Sequence, residues 1–288
     1  MPAYMLIVIP ILDFSLPRQK KMTQQEVEFK LNDMRYEVLV VSWSVFYLIF
    51  QVFLYYQMFD QNLWTIFYMA IANGILSVQA FSAAHELLHK FDFSKRFLAN
   101  IILLLNGYLH FYKSHKHIHH VYVATEKDPS SAPKNMTLYQ FFYRSIAGNI
   151  LYLYNYQTVF TIWCFALYLI FIYSMTMLSF SLVIFWLIQS IVSIILLETV
   201  NYIEHYGLKR MGNQSVTDSW DTDFSYMNWI VFRLGFHSHH HVRSRDDYQV
   251  LNYNEESPKM PLDYPWMMFL ALFPEIYFGL THPILERK

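Results

Sequence analysis

Nine of the thirteen histidines in this 288-residue chain fall into four groups whose spacing suits shared work on a metal. His85 and His89, in HELLHK, stand four apart, so on a helix both imidazoles project from one face. In SHKHIHH, His115, His119 and His120 follow at i, i+4 and i+5. NYIEHYGL contributes His205, and HSHHH offers His237, His240 and His241 at i, i+3 and i+4. A solitary histidine in a core or at a surface needs no ligand role, and His110, His117, His239 and His282 are read that way. Nine in helically spaced groups are different, because each buried imidazole without a partner costs free energy. A metal site satisfies them together.

Neutral imidazole suits iron, zinc, copper and nickel. Nine rings exceed what one ion can hold and fit two ions. HExxH alone also matches the zinc metalloprotease signature, with Glu86 as base, but that chemistry needs only one or two further ligands. The carboxylate di-iron pattern of Glu with Glu-x-x-His pairs is absent. Imidazoles leave the metal charge uncompensated, so carboxylates are expected to hydrogen-bond the outer ring nitrogens. Glu86 and Glu204 lead that group, with Asp128, Asp221, Asp223 and Asp246 behind them, each equally readable as an exposed charge. No catalytic residue beyond the metal ligands is marked. Cys164 is the only cysteine, which excludes an intramolecular disulfide and a CxxC site. Any redox cycle therefore draws electrons from outside the chain.

The elements that carry these groups are apolar. Hydrophobic residues make up 55% of the chain, aromatics 19% and charged residues only 15%, where a soluble domain carries about a quarter charged. Net charge is -1, which gives no field for nucleic acid. A bilayer span takes roughly 20 apolar helical residues, and stretches 38–59, 63–84, 150–173 and 177–197 meet that standard. The second runs on as helix into His85. Stretch 97–112 is too short to cross and is expected to dip in or lie along the interface; 266–280 is also short and holds Pro274. Residues 1–12 are apolar but contain Pro2 and Pro10 and lack the basic start of a signal peptide, so they are expected to pack on protein or lie at the membrane surface. The reading is an all-α integral membrane bundle, one domain over residues 1–288, with about four transmembrane helices in two hairpins and the histidine-rich di-metal site at one membrane face. Segments on that face carry basic residues from Arg18 to Arg144, whereas turns 60–62 and 174–176 carry none, so the site is expected to face the cytoplasm or a mitochondrial matrix.

HELLHK, HHVYVATEKDPSSAP with FFYRSIAGN after it, NYIEHYGL, HSHHH and the tail YQVL…MPLDYPWMMFLALFP together resemble the membrane alkane hydroxylases (alkane 1-monooxygenases). These belong with the histidine-rich di-iron fatty acid desaturases and hydroxylases. NYIEHYGL is the most specific motif, since desaturases lack it. The resemblance runs from about residue 60 to the C-terminus. It implies a helical membrane fold with two iron ions held by His85, His89, His115, His119, His120, His205, His237, His240 and His241. It further implies O2-dependent hydroxylation of an alkane or alkyl chain, with electrons from an external rubredoxin-like donor. Three features depart from the family. Ser114 stands where Glu is usual, Leu234-Gly235-Phe236 precedes His237 where Leu-Gln-Arg is usual, and four spans appear instead of six. These raise an alternative: a non-catalytic or degenerate subunit of a larger membrane complex, for example a respiratory-chain assembly. Gln51, Gln57, Asn73 and Gln79 within the first two spans likewise lead to an expectation of other membrane subunits as partners.

Overall fold

The computed structural model describes residues 3–287; Met1, Pro2 and Lys288 lie outside them, and with Met1 and Pro2 the start of the apolar N-terminal stretch. Among the described residues regular structure is helical, and the single β contact is an isolated bridge between Asp221 and Lys259. A π-helical turn, Tyr4–Val8, leads into α1 (Ile9–Ser15) and α2 (Gln24–Leu31). Next come α3 (Arg35–Gln57), α4 (Leu63–Leu88) and α5 (Phe93–Leu105). Short α6 (Phe111–Ser114) and α7 (His120–Tyr122) flank a second π turn, His115–His119. Long helices return with α8 (Leu138–Tyr156), α9 (Thr158–Leu178) and α10 (Phe180–His205). The chain ends in α11 (Ser225–Ile230), α12 (His237–Val242), α13 (Tyr264–Leu270) and α14 (Pro274–Leu285).

Four of these, α3, α4, α9 and α10, are long and apolar enough to cross a membrane. The first two lie close to the expected stretches, and α4 runs unbroken through His85. Residues 150–156 instead finish α8, and the third span starts after a break at Gln157. The second hairpin turns at Ser179, in extended backbone, where Ser179 Oγ donates to Asp60 Oδ1 at 2.9 Å. Residues 174–176 are helical. Isolated polar residues such as Asn155, Gln157 and Ser179 in a largely apolar run are weak marks of such breaks. Pro274 opens α14, a position where its missing N–H goes unused.

The chain divides into two compact units, each taken by itself. One comprises Glu37–Ser114 and Ile150–Leu197. Its apolar core joins Leu54, Met58, Ile66 and Ala70 to Met175, Leu182, Phe185 and Trp186. Ile49, Val52, Phe53, Ile162, Trp163 and Phe165 point outward, as residues facing lipid do. Gln51 and Asn73 of the first hairpin find partners inside this unit. The Gln51 and Asn73 side-chain amides exchange hydrogen bonds of 2.9 Å, and Asn73 also donates to Gln189 of α10. A Cβ on Gly74 would stand 2.7 Å from Val192 Cβ, so α4 and α10 nearly touch there. These amides thus need no outside partner.

The second unit gathers the chain through Tyr36, His115–Asn149, and Glu198 onward. Its core is aromatic, with Trp220, Tyr202, Tyr206, Tyr264, Tyr277, Phe141, Phe224 and Phe236 almost wholly buried. The N-terminal segment is pinned to it by buried Asp13, whose carboxylate accepts the Tyr226 and Met227 N–H groups at 2.6 and 3.1 Å. Gly207 adopts φ +71°, which turns the chain sharply after His205 and lets its N–H reach Ala132 O at 2.8 Å.

Candidate metal centre

The histidines of the second unit form two groups, and the local fold explains the division. Over His115–His119 the helix widens to a π turn, so residues five apart share a ridge. His115 and His120 accordingly face each other, with Nε2 atoms 2.9 Å apart. His119 points elsewhere. Short helix α12 repeats the device: His240 lies 3.1 Å from His120, Nε2 to Nε2, while His237 and His241 face away from it, 3.1 Å from each other. His205, at the end of α10, completes that second set, its Nε2 3.1 Å from that of His237. The result is a four-ring group, His119, His205, His237 and His241, all buried, with one nitrogen of each within 4.8 Å of the others. His115, His120 and His240 form the companion group under the same limit.

Outer contacts fix which nitrogen faces inward. Asp128 Oδ2 accepts His119 Nδ1–H at 2.9 Å and the Ser131 hydroxyl at 2.6 Å. Its other oxygen accepts Ser130 N–H, the turn expected of Asp-Pro-Ser. Burial alone would raise this carboxyl, but His119, Ser131 and His205 hold it below its ordinary value. His205 Nδ1 lies 3.3 Å from Ser219 Oγ and 3.4 Å from Asp218 O. Burial, then the neighbouring His237, His120, His119 and His205 rings, keeps His241 far below the ordinary histidine range. It is therefore neutral, the form that binds metal.

The α12 platform has its own foundation. Buried Asp221 accepts both the N–H and the hydroxyl of Ser238 at 2.8 Å, and also Ser257 and Lys259. A Cβ on Gly235 would lie 2.6 Å from Asn228 Oδ1 and Thr222 Cγ2, so no larger residue fits before Phe236. Arg233 supplies a guanidinium here, donating twice to Leu251 O and lying over the Phe236 ring.

Does a metal fit this donor set? Ring nitrogens about 3 Å apart can share a proton pairwise, but one proton cannot serve four nitrogens that converge on one point, whereas a cation can. Metal–nitrogen bonds near 2.1 Å place neighbouring ligand atoms about 3 Å apart. His119 Nε2 is buried inside its group and makes no hydrogen bond. The arrangement suits a metal ion.

Other histidines stand outside these groups. His117 is exposed, and His239 has both nitrogens engaged, by Asp246 at 3.2 Å and by Asn252 N–H at 3.0 Å. His282 bonds Tyr206 OH at 2.8 Å, and His110 packs on Tyr108. Of the six carboxylates singled out, Asp128 is the one placed at an outer ring nitrogen, that of His119. Glu204 instead reaches to 3.2 Å from the inward Nε2 of His237, its other oxygen accepting Tyr264 OH at 2.6 Å. Glu86 pairs with Lys90 at 2.5 Å, Asp223 with Arg18 at 2.8 Å, and Asp246 with His239. Ser219, Ser238 and Lys259 carry no signal in the sequence, since isolated residues of these types form no pattern.

In the first unit, α4 carries His85 and His89 side by side at its C-terminal end, ring centroids 5.1 Å apart. A family model described as fatty acid desaturase matches residues 62–271, which takes in every one of these histidines. The chain belongs to the fatty acid desaturase family. Among its relatives, alkane 1-monooxygenase 2 of Alcanivorax borkumensis is 28% identical over 99% of this chain and 82% of its own length. Alkane 1-monooxygenase of Acinetobacter baylyi is 29% identical over 97% and 74%. Alkane 1-monooxygenase 1 of Pseudomonas aeruginosa is 32% identical over 69% and 58%. With its four apolar helices, this desaturase-family chain is an integral membrane protein.

Proposed function

We propose that the chain is an O2-dependent di-iron monooxygenase that hydroxylates an alkane or an alkyl chain, with electrons from an external rubredoxin-like donor. The observation that carries this reading is the pair of convergent histidine groups in a chain related throughout its length to alkane 1-monooxygenases. One ion is held by His119, His205, His237 and His241, the other by His115, His120 and His240 together with His85 and His89. His110, His117, His239 and His282 are not ligands. When bound, the two reduced irons supply the O2 activation that an unactivated C–H bond requires.

The protein's part is orientation, charge and exclusion of water. Asp128 fixes the His119 tautomer, and Glu204 places a carboxyl oxygen 3.2 Å from His237 Nε2. Both α4 and α10 run from apolar span into a histidine motif without a break, so an alkyl substrate dissolved in the bilayer has a short approach. The site faces the cytoplasm or a mitochondrial matrix, the side on which basic residues accumulate. The balance per turnover is one alkane C–H, one O2, two electrons and two protons, giving one alcohol and one water. The test is metal analysis of the protein from mild detergent, followed by assay with an n-alkane, O2 and a reductant. About two irons per chain and O2-dependent alcohol are expected. No metal, or an iron-loaded protein that forms no alcohol, would sink the reading.

A further inference from the structure

We propose that the electron donor docks in one basic cleft, formed where the segment after α7 meets the segment after α10, and that this cleft is the port through which electrons enter the four-histidine group. The inference rests on the hydroxylase reading for its donor. The cleft measures about 710 Å³, and its lining carries Lys127, Lys134, Lys209 and Arg210 against a single acidic residue, Glu126. Lys127 and Lys209 are exposed at its rim. Lys134 pairs with Glu286 at 2.8 Å, and Arg210 is held by its donation to Val121 O at 3.0 Å. Such a rim steers an acidic partner and sets its orientation.

The floor explains why this cleft, among the basic surfaces, suits electron entry. Ala124, Ser131 and Gly207 line it. Ala124 N–H donates to Ser131 Oγ at 2.9 Å, Ser131 donates to Asp128 Oδ2 at 2.6 Å, and that oxygen holds His119 Nδ1 at 2.9 Å. On the other wall, Gly207 follows His205 by two residues and bonds Ala132 O. Two rings of the buried group are thus reached from the cleft through a few bonds. Electron transfer falls steeply with distance, and a chain whose one cysteine is Cys164 holds no iron–sulfur relay of its own. The carrier must come close itself. The occupant that fits is a small acidic protein bearing a one-electron iron–sulfur centre, two of which are oxidised per O2 consumed. It must leave between visits, which a charge-steered, limited contact permits.

The test uses the iron-loaded protein in phosphatidylcholine nanodiscs, with a purified rubredoxin as the probe. In the unaltered protein the KM for rubredoxin should rise with ionic strength. Lys127→Glu with Lys209→Glu should raise it about tenfold at low salt, with iron content unchanged, whereas Lys20→Glu with Lys21→Glu should leave it in place. A KM that the cleft pair does not move, or that both pairs move alike, overturns the proposal. Dithionite-driven alcohol formation by the unaltered protein tests the hydroxylase reading separately. If that fails, direct binding of rubredoxin to the nanodiscs decides the cleft, and no binding, or equal affinity with and without the Lys127 and Lys209 changes, overturns it.

Discussion

At the scale of single residues, the site separates what spacing can say from what only folding reveals. The proposal that His119 and His241 face metal follows from helical intervals among residues of one type. That Asp128 holds His119 does not, because a lone aspartate before proline reads first as a turn former, and here it is both. Glu204 shows the opposite case: as a candidate for an outer ring nitrogen it instead lies beside the inward Nε2 of His237. The two carboxylates should therefore behave differently. Asp128→Ala strands a buried Nδ1–H, and metal affinity should fall about 10- to 100-fold, measured by competition with a chromogenic chelator. Asp128→Asn, whose carbonyl oxygen can still accept that hydrogen, should lose less. Equal affinity in the alanine variant and the parent would show that Asp128 has no hold on the metal.

Among the elements, long helices were legible and their interruptions were not. Hydrophobic length located α3 and α4 closely because asparagine and aspartate punctuate the turn between them. Between residues 150 and 197 the punctuation is weaker, single polar residues such as Asn155, Gln157 and Ser179 among apolar ones, and the helices break at Gln157 and Ser179. The π turn at His115–His119 is likewise invisible, since its i, i+4, i+5 intervals suit an ordinary helix as well. Phe232 and Arg233 both hold left-handed backbone, at φ +50° and +55°, which costs about 1–3 kcal/mol each. Arg233 is fastened there by Leu251 O and by Gln19 at 2.6 Å. The departure from Leu-Gln-Arg is thus a repacked turn with a guanidinium three residues earlier. Restoring the family residue should do harm: Gly235→Gln overpacks against Asn228 and Thr222, costing about 1–3 kcal/mol. Its Tm should drop, and Gly235→Ala should drop less. A rise in Tm would mark the native turn as decay.

Across the whole molecule, the chain devotes one unit to apolar helices whose polar side chains answer one another, and another to an aromatic scaffold around seven histidines. Fold class and ligand candidates could be read from composition and interval. The grouping of those ligands could not, because it depends on where the helix widens and where α12 begins. The amides of Gln51 and Asn73, which as sequence suggested a neighbouring subunit, bond to each other and to Gln189.

One consequence lies in the seams between the groups. His119 and His120 are consecutive yet serve different groups, and so do His240 and His241. Two peptide bonds are therefore common to both pockets. Ordering one pocket around an ion fixes the backbone of the other, so the second ion meets ligands whose conformational freedom is already spent. Loading should be cooperative: as ferrous iron is titrated into the metal-free protein, native mass spectrometry should show empty and doubly filled chains with little of the singly filled form. A dominant one-ion species at half saturation would mean that the pockets fill independently. Cooperative filling would also protect function, since a chain with a single redox ion, able to meet O2 but not to complete the chemistry, would rarely exist.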